Sequence, residues 1–230
     1  MGGNMPPLLV RIQRILQQRG VWQLFVKVYV MLIDRLYDIW YGIETCKESL
    51  LTELSIKSSN QIYGTPYQAA RLLPLRSLFQ LIAPSIPEGS VLVDLGSGKG
   101  RVLLVASEFG FEKVVGIEFA HELNEIAKKN CFKYKAVTGV KTHFQLVDTD
   151  VVEYVFGPDE NVIVMNNPFK KEVLQQVLEN LSNSIQQHYR KVVLVYMAPS
   201  HRDVIESHGD FVKIKEGYLW GCDFALYSNL

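Results

Sequence analysis

The 230-residue sequence predicts an α/β fold, in which a mostly parallel sheet carries helices on both faces and a helical extension precedes it. From residue 90 onward, short apolar runs alternate with segments of helical periodicity, as is typical of a parallel sheet buried on both sides. A glycine-rich turn, Gly96–Gly100, follows the first apolar run. Near the end, the strand-like runs 211–217 and 223–229 lie close together and predict a hairpin with an antiparallel last strand.

The N-terminal segment 8–56 has apolar residues at helical spacing and predicts a helical extension. We place the boundary after residue 59, which gives an extension of residues 1–59 and a main domain of residues 60–230. Before Asp34 the only charges are basic, namely Arg11, Arg14, Arg19 and Lys27. Such a segment fits a cap packed on the main domain, which we favour, or contact of residues 8–40 with an anionic membrane surface.

The main domain is expected to open with a helix from about Pro66 to Leu81, because proline is tolerated in a first helical turn. The segment "APSIPEGS" then ends this helix with two prolines and a glycine. The predicted parallel strands are Val91–Leu95, Lys113–Phe119, Thr142–Val147, Asn161–Asn166 and Lys191–Met197. The helices predicted between them are Gly100–Phe109, His121–Lys135 and Lys171–Gln187.

Charge and composition argue against several classes of protein. Lys and Arg (24) balance Asp and Glu (24), so the net charge gives no reason to expect a polyanionic partner such as a nucleic acid and leaves only local basic patches as an alternative. Cys46, Cys131 and Cys222 are far apart and favour reduced thiols over a disulfide framework or a zinc site. The apolar stretch Val21–Ile33 is shorter than a spanning helix and precedes no cleavage site. We expect a cytoplasmic protein, with membrane association as the alternative.

The turn within "VLVDLGSGKGR" (residues 91–101) excludes two common nucleotide-binding loops. A P-loop needs a glycine five positions before Gly98, where Val93 stands, and a Ser or Thr after Lys99, where Gly100 stands. The dinucleotide fingerprint G-x-G-x-x-G needs its third glycine one residue later than Gly100. Lys99 and Arg101 are interpreted as the exposed first turn of the helix.

Asp94, Gly96, Gly98 and Gly100 form a D-x-G-x-G-x-G sequence, which resembles motif I of the class I S-adenosylmethionine (SAM) methyltransferases. The resemblance implies SAM as the cofactor, with Ser97 and the three glycines at the binding loop. Glycines let the backbone approach the ligand, and N–H groups at a helix start suit its carboxylate. Asp94 is suited to the ammonium group of the ligand.

Two acidic positions at later strand ends extend this resemblance. Glu118 lies 22 residues after Gly96, where a carboxylate accepts from the ribose hydroxyls, and Phe119 follows it in the binding site. In the segment "DVVEY", Asp150 resembles the family residue that meets the adenine amino group. Asp148 lies one pleat earlier and remains the alternative.

The segment "NNPF" contains the candidate catalytic residues Asn166, Asn167, Pro168 and Phe169. It resembles the [DN]-P-P-[YF] motif of amino-group methyltransferases and the "NN" of the non-SET histone-lysine methyltransferases. An amide or carbonyl oxygen here would hold a target amine with its lone pair toward the methyl carbon, and Asn166 would also touch the cofactor. The alternative is that these are turn-forming residues at a strand end.

Upstream, Tyr63 and Thr65 in "IYGTPY" resemble the entry segment that covers SAM in several protein-lysine and small bacterial methyltransferases. The alternative is a simple helix cap in which Thr65 precedes Pro66.

The resemblance covers residues 60–230 and implies a Rossmann-like seven-stranded sheet of order 3-2-1-4-5-7-6, with SAM over the carboxyl ends of the first strands. It implies methyl transfer to an amine such as a protein lysine. Alternatives are a small-molecule or nucleic-acid base acceptor, of which nucleic acid is less expected, and a non-catalytic SAM-binding scaffold. No metal is expected.

Overall fold

The computed structural model describes residues 7–56 and 58–229, with side chains described from residue 21 onward except at position 53. Seven strands form one sheet in the order β3-β2-β1-β4-β5-β7-β6, which confirms the predicted order. Strands β1 to β5 run parallel, and β7 runs antiparallel to both β5 and β6. The strands are β1 Val91–Leu95, β2 Lys113–Glu118, β3 His143–Asp148, β4 Glu160–Met165, β5 Val193–Met197, β6 Val212–Leu219 and β7 Cys222–Ser228.

In the part of the chain that the structure describes, six α-helices flank the sheet: α1 Pro7–Tyr41, α2 Leu72–Ile82, α3 Arg101–Ala106, α4 His121–Thr138, α5 Lys171–Gln187 and α6 Arg202–His208. Every residue of β1 is buried, because alternate side chains point to opposite faces and both faces are covered. Leu92 packs with α2, α3 and α4 on one face. Val93 and Leu95 pack with α5 and α6 on the other.

Helix α1 ends earlier than the predicted helical segment 8–56. It stops at Tyr41, where Gly42 takes a left-handed φ of 63°, and residues 43–50 are not helical. In the rest of the predicted segment the described residues form one short 3₁₀ turn, Leu51–Glu53. Near its end α1 packs on α4, where the Tyr37 and Tyr134 rings lie 6.0 Å apart. No helix within the described residues is long and apolar enough to cross a membrane.

Helix α2 begins at Leu72, so the predicted start at Pro66 is wrong. The residues before it are extended, and Tyr67 pairs with Ser49 through backbone hydrogen bonds of 2.9 and 3.4 Å. The first N–H of the helix, that of Leu72, donates to Asp34 Oδ1 of α1 at 2.9 Å. A carboxylate from a distant segment therefore satisfies the helix start, and local sequence carries no sign of it.

Lys99 and Arg101 are buried, so their assignment to an exposed first turn is wrong. Only 1% of Lys99 and 2% of Arg101 is exposed. Lys99 Nζ lies 2.8 Å from Glu44 Oε1, and the Arg101 guanidinium lies 3.2 Å from both Asp34 Oδ1 and Asp38 Oδ1. A buried charge requires such partners, and here they all come from the segment before residue 60.

Candidate active site

A cleft of about 640 Å³ opens at the carboxyl ends of the parallel strands, within the size range of small-molecule sites. Its floor consists of lining residues at the ends of strands or just after them: 94, 96–97, 117–119, 150–151 and 166–169. Its cover consists of residues 43–51 and 58–70, of which 48–51, 60 and 64–70 line the cleft.

The glycines of the loop after β1 allow close contacts. Gly96 has a φ of +76°, and a Cβ there would lie 2.5 Å from Pro168 Cβ. Gly98 has a φ of +52°, and a Cβ there would lie 2.2 Å from the Tyr67 ring. Gly96 and Ser97 line the cleft, whereas Gly98 lies beneath Tyr67 and Gly100 lies against Ala127. The last two glycines therefore accommodate neighbouring residues and do not line the cleft.

Glu118 is buried at the end of β2 and holds the glycine loop. Its Oε2 accepts from the Gly98 N–H at 2.8 Å, and its Oε1 accepts from the Ala120 N–H at 2.9 Å. Burial raises the pKa of Glu118 to about 7, although these N–H groups act in the opposite direction. Each carboxylate oxygen keeps a lone pair for a further donor. Phe119, which follows, also lines the cleft.

Asp94 lines the cleft with an unsatisfied oxygen. Burial, reinforced by the negative charge of Glu118, raises the pKa of Asp94 well above its ordinary value. Asp94 Oδ2 and Ser97 Oγ are both buried and have no hydrogen-bond partner among the described residues. Buried polar atoms of this kind normally meet a ligand or water. An ammonium group and hydroxyl groups, which SAM carries, are donors that fit these acceptors.

The two candidate adenine carboxylates lie in different places. Asp150 is buried and lines the cleft, where its Oδ2 accepts from Ser58 Oγ and, at 2.9 Å, from Asn60 Nδ2. Asp148 does not line the cleft and lies 2.5 Å from His121 Nδ1 at the surface. The geometry therefore favours Asp150, which also anchors the cover.

The neighbouring amides of the "NNPF" segment have different partners. Asn166 lines the cleft and donates from Nδ2 to the Gln68 carbonyl at 3.3 Å, and no described residue donates to its Oδ1. Asn167 has a φ of +48°, and its Oδ1 accepts from the Tyr196 hydroxyl at 3.0 Å. Its carbonyl accepts from Thr65 Oγ1 at 3.1 Å. Asn167 is thus fixed in the turn, whereas the Asn166 amide oxygen is left for a ligand.

The predicted entry segment joins the cover to the floor. The Thr65 N–H donates to the Pro168 carbonyl at 3.1 Å, and Gly64 pairs with Phe169 in an antiparallel bridge. Thr65, Pro168 and Phe169 line the cleft. Tyr63 does not line it and packs against the core cluster of α5 and α6.

Sequence reasoning missed several lining residues, chiefly Glu48, Tyr67, Gln68 and Arg101. The Tyr67 hydroxyl donates to the Thr45 carbonyl at 2.8 Å. Gln68 Nε2 donates to Glu48 Oε1 at 3.0 Å. Tyr67 ends the "IYGTPY" segment and Gln68 directly follows it, so that motif could have found them, whereas nothing in the sequence around Glu48 indicates its place. Within the described residues no group of His, Cys, Asp or Glu could hold a metal ion.

Solved structures share this fold. A magnesium protoporphyrin IX methyltransferase from Synechocystis PCC 6803, solved with bound SAM, matches at a TM-score of 0.52 and 15% identity, over 68% of this chain and 78% of that one. A candidate RNA methyltransferase from Pyrococcus horikoshii matches at 0.53 and 19% identity, over 77% and 94% of the two chains. No curated protein sequence matches the chain.

A family model described as "Histone methylation protein DOT1" matches residues 57–216, which is more than half of the chain. That range contains the glycine loop, Glu118, Asp150 and the "NNPF" segment. The chain therefore belongs to the DOT1 family of histone methylation proteins, and it is a class I SAM-dependent methyltransferase.

Proposed function

We propose that the protein methylates an amine, and specifically the side chain of a lysine in a protein. The charge of the cleft carries this proposal. Its charged lining residues are Glu48, Asp94, Glu118, Asp150 and Arg101, and the guanidinium of Arg101 is already neutralised by Asp34 and Asp38. Because Asp94, Glu118 and Asp150 are assigned to the cofactor below, Glu48 is the lining carboxylate left for the acceptor, and it favours a cationic acceptor and opposes the phosphates of a nucleic acid. The histone methylation named by the family description also supports a protein acceptor.

We assign the contacts to SAM from the positions of the hydrogen-bond acceptors on the floor. Asp94 would take the ammonium group of SAM, and Glu118 would accept from the ribose hydroxyls. Asp150 would accept from the adenine amino group, while Gly96, Ser97 and Phe119 form the adjoining wall. For Tyr63, Gly98 and Gly100 a direct cofactor contact stays a prediction, and their positions support an indirect role.

The acceptor would lie against Asn166. Its Oδ1 would accept one N–H of the target amine, so the nitrogen lone pair is left to point along the line of attack. Asn167 is a positioning residue held by Tyr196 and Thr65, and Pro168 and Phe169 shape the wall. When bound, SAM supplies an electrophilic methyl carbon on a sulfonium, so catalysis needs mainly alignment.

The target nitrogen must be neutral before it reacts. A lysine ammonium has a pKa of about 10.4 in water and would have to release its proton as it enters the cleft. Bulk water suffices to accept that proton, so the proposal requires no side-chain base. The Asn166 amide oxygen accepts an N–H from either form of the amine, so its role is to position the nitrogen and not to take its proton.

The boundary after residue 59 stays a prediction. The ion pairs of Asp34, Asp38 and Glu44 with Lys99 and Arg101 cross it and support an extension that completes the catalytic unit.

The test incubates the purified protein with methyl-labelled SAM and cell lysate, then separates proteins, nucleic acids and small molecules. We expect label in protein and, after digestion, on lysine. Asn166→Ala should lower this rate by about 100-fold with SAM affinity changed far less, because the lost contact is to the acceptor. Asn183→Ala, on the exposed side of α5, is the matched control. Label in RNA or small molecules alone would overturn the proposal.

A further inference from the structure

Helix α1 presents a broad apolar surface to solvent. Trp22 is 74% exposed, Ile39 75% and Trp40 79%. The apolar stripe comprises Val21, Trp22, Phe25, Val28, Tyr29, Leu32, Leu36, Ile39 and Trp40, each close to half exposed or more. At 100° per residue these nine fall within an arc of roughly 120°. A stripe of this size exceeds the isolated apolar side chains normal on a soluble surface and marks an interaction site.

The opposite side of helix α1 packs against the rest of the protein. Val30, Asp34, Tyr37 and Asp38 are buried. Both carboxylates are neutralised by arginines, Asp34 by Arg71 and Arg101 and Asp38 by Arg101. The remaining charges on the described part of the helix are therefore basic, Lys27 and Arg35.

The charge of the whole segment has the same sign. Residues 1–33 contain Arg11, Arg14, Arg19 and Lys27 and no acidic residue, although the chain as a whole is neutral. The side chains of residues 8–20, part of the segment predicted to touch a membrane, lie outside the described side chains. Their charge nevertheless belongs to the segment and adds to its attraction for an anionic surface.

We propose that the apolar stripe lies on the surface of an anionic lipid bilayer, with α1 parallel to the membrane plane. A wide apolar arc with Trp and Tyr, flanked by basic residues, is the pattern of an interfacial helix. A two-helix coiled coil would use a narrower seam. The Tyr29 ring lies 6.5 Å from the half-exposed Trp220 ring at the β6–β7 turn, which extends the apolar surface onto the domain.

A second copy of the chain is the competing occupant. Trp22, Phe25, Tyr29, Leu32, Leu36 and Ile39 are spaced three and four residues apart, as in a coiled-coil seam. The basic charge of residues 1–33 favours lipid, because two such segments side by side would repel each other.

The test is cosedimentation of the full chain with vesicles of phosphatidylcholine, alone or mixed with phosphatidylglycerol. We expect binding to the mixed vesicles, weakened by salt, and at least about tenfold weaker binding to the neutral ones. The double variant Trp22→Ala/Trp40→Ala should lose at least tenfold in binding to the mixed vesicles. Phe132→Ala, which removes a side chain 78% exposed on α4, should bind as wild type does.

Thermal unfolding checks that each variant is folded, since the replaced residues are exposed. Light scattering without vesicles measures the oligomeric state. Equal pelleting with both vesicle types, or with neither, overturns the proposal. So does a dimer that the double variant converts to monomer, because a second copy then covers the stripe.

Discussion

The floor and the cover of the cleft are built in different ways. The floor is fixed by the sheet, since parallel pairing of β1, β2 and β4 brings Asp94, Glu118 and Asn166 to one edge. The cover is fixed by separate contacts from residues far away in sequence, such as the hydrogen bond from Tyr67 to Thr45 and those from Thr65 to Pro168. We therefore expect the floor to tolerate the loss of one side chain better than the cover tolerates the loss of one of its anchors.

The largest effect is expected from Arg101 of α3, which joins α3 to the cover and to α1. Arg101→Met should leave Asp34 and Asp38 buried without their shared cation and lower the free energy of unfolding by about 3–5 kcal/mol. Urea unfolding measures this. Arg202→Met is the matched control, because Arg202 and Glu216 make a single 3.4 Å contact in a partly exposed position and such pairs contribute less than about 1 kcal/mol. Equal losses in the two variants would contradict the special role of Arg101.

A smaller but still large effect is expected where Tyr67 of the cover rests on the glycine loop. Gly98→Ala places a Cβ 2.2 Å from the Tyr67 ring at a φ of +52°, so the ring or the loop must move. We expect a stability loss of about 1–3 kcal/mol and SAM affinity reduced at least about tenfold, as measured by calorimetry. Gly139→Ala has a similar φ of +69° but nothing within 4 Å, and it should bind SAM normally. Normal SAM binding by both variants would show that the contact between Tyr67 and the glycine loop does not affect cofactor binding.

The smallest effect is expected within the floor and depends on pH. Because the pKa of Glu118 is about 7, its ionised fraction rises from about a tenth at pH 6 to about nine tenths at pH 8. If ribose hydroxyls donate to the carboxylate, SAM affinity should rise by up to about tenfold over this interval. Glu118→Gln should flatten much of that rise, while the raised pKa of Asp94 retains some of it. An unchanged pH profile in the variant would exclude Glu118 as the ribose acceptor.

The stability of the folded protein should move in the opposite direction. The folded pKa of about 7 exceeds the ordinary value of about 4.3, so the folded state holds a proton that the unfolded chain releases. The stabilising contribution of this group is therefore complete below about pH 4 and lost as the pH rises through 7. Glu118→Gln should gain stability relative to wild type between pH 5 and 8, measured by urea unfolding.

The difference between the floor and the cover also explains which parts of the structure could be predicted from the sequence. Strands buried on both faces are continuous apolar runs, so their ends, and with them Asp94, Glu118 and Asn166, were predictable. Residues 43–56 and 66–71 were predicted as helix, but apart from the 3₁₀ turn Leu51–Glu53 they are extended or irregular, because the partners that shape them lie elsewhere in the chain. Lys99 and Arg101 bond to Glu44 and Asp38, 55 and 63 residues earlier, and pairs so distant leave no periodic pattern.

The ion pairs that buried Lys99 and Arg101 make with acidic residues before residue 60 also determine how much of the chain must be moved to transplant the domain. A chimaera that borrows only residues 60–230 would carry two interior cations whose counter-charges, Asp34, Asp38 and Glu44, stay behind in the donor. Protein engineers who wish to graft this methyltransferase onto another scaffold should therefore begin the graft upstream of Asp34, or replace both cations by neutral side chains of similar volume.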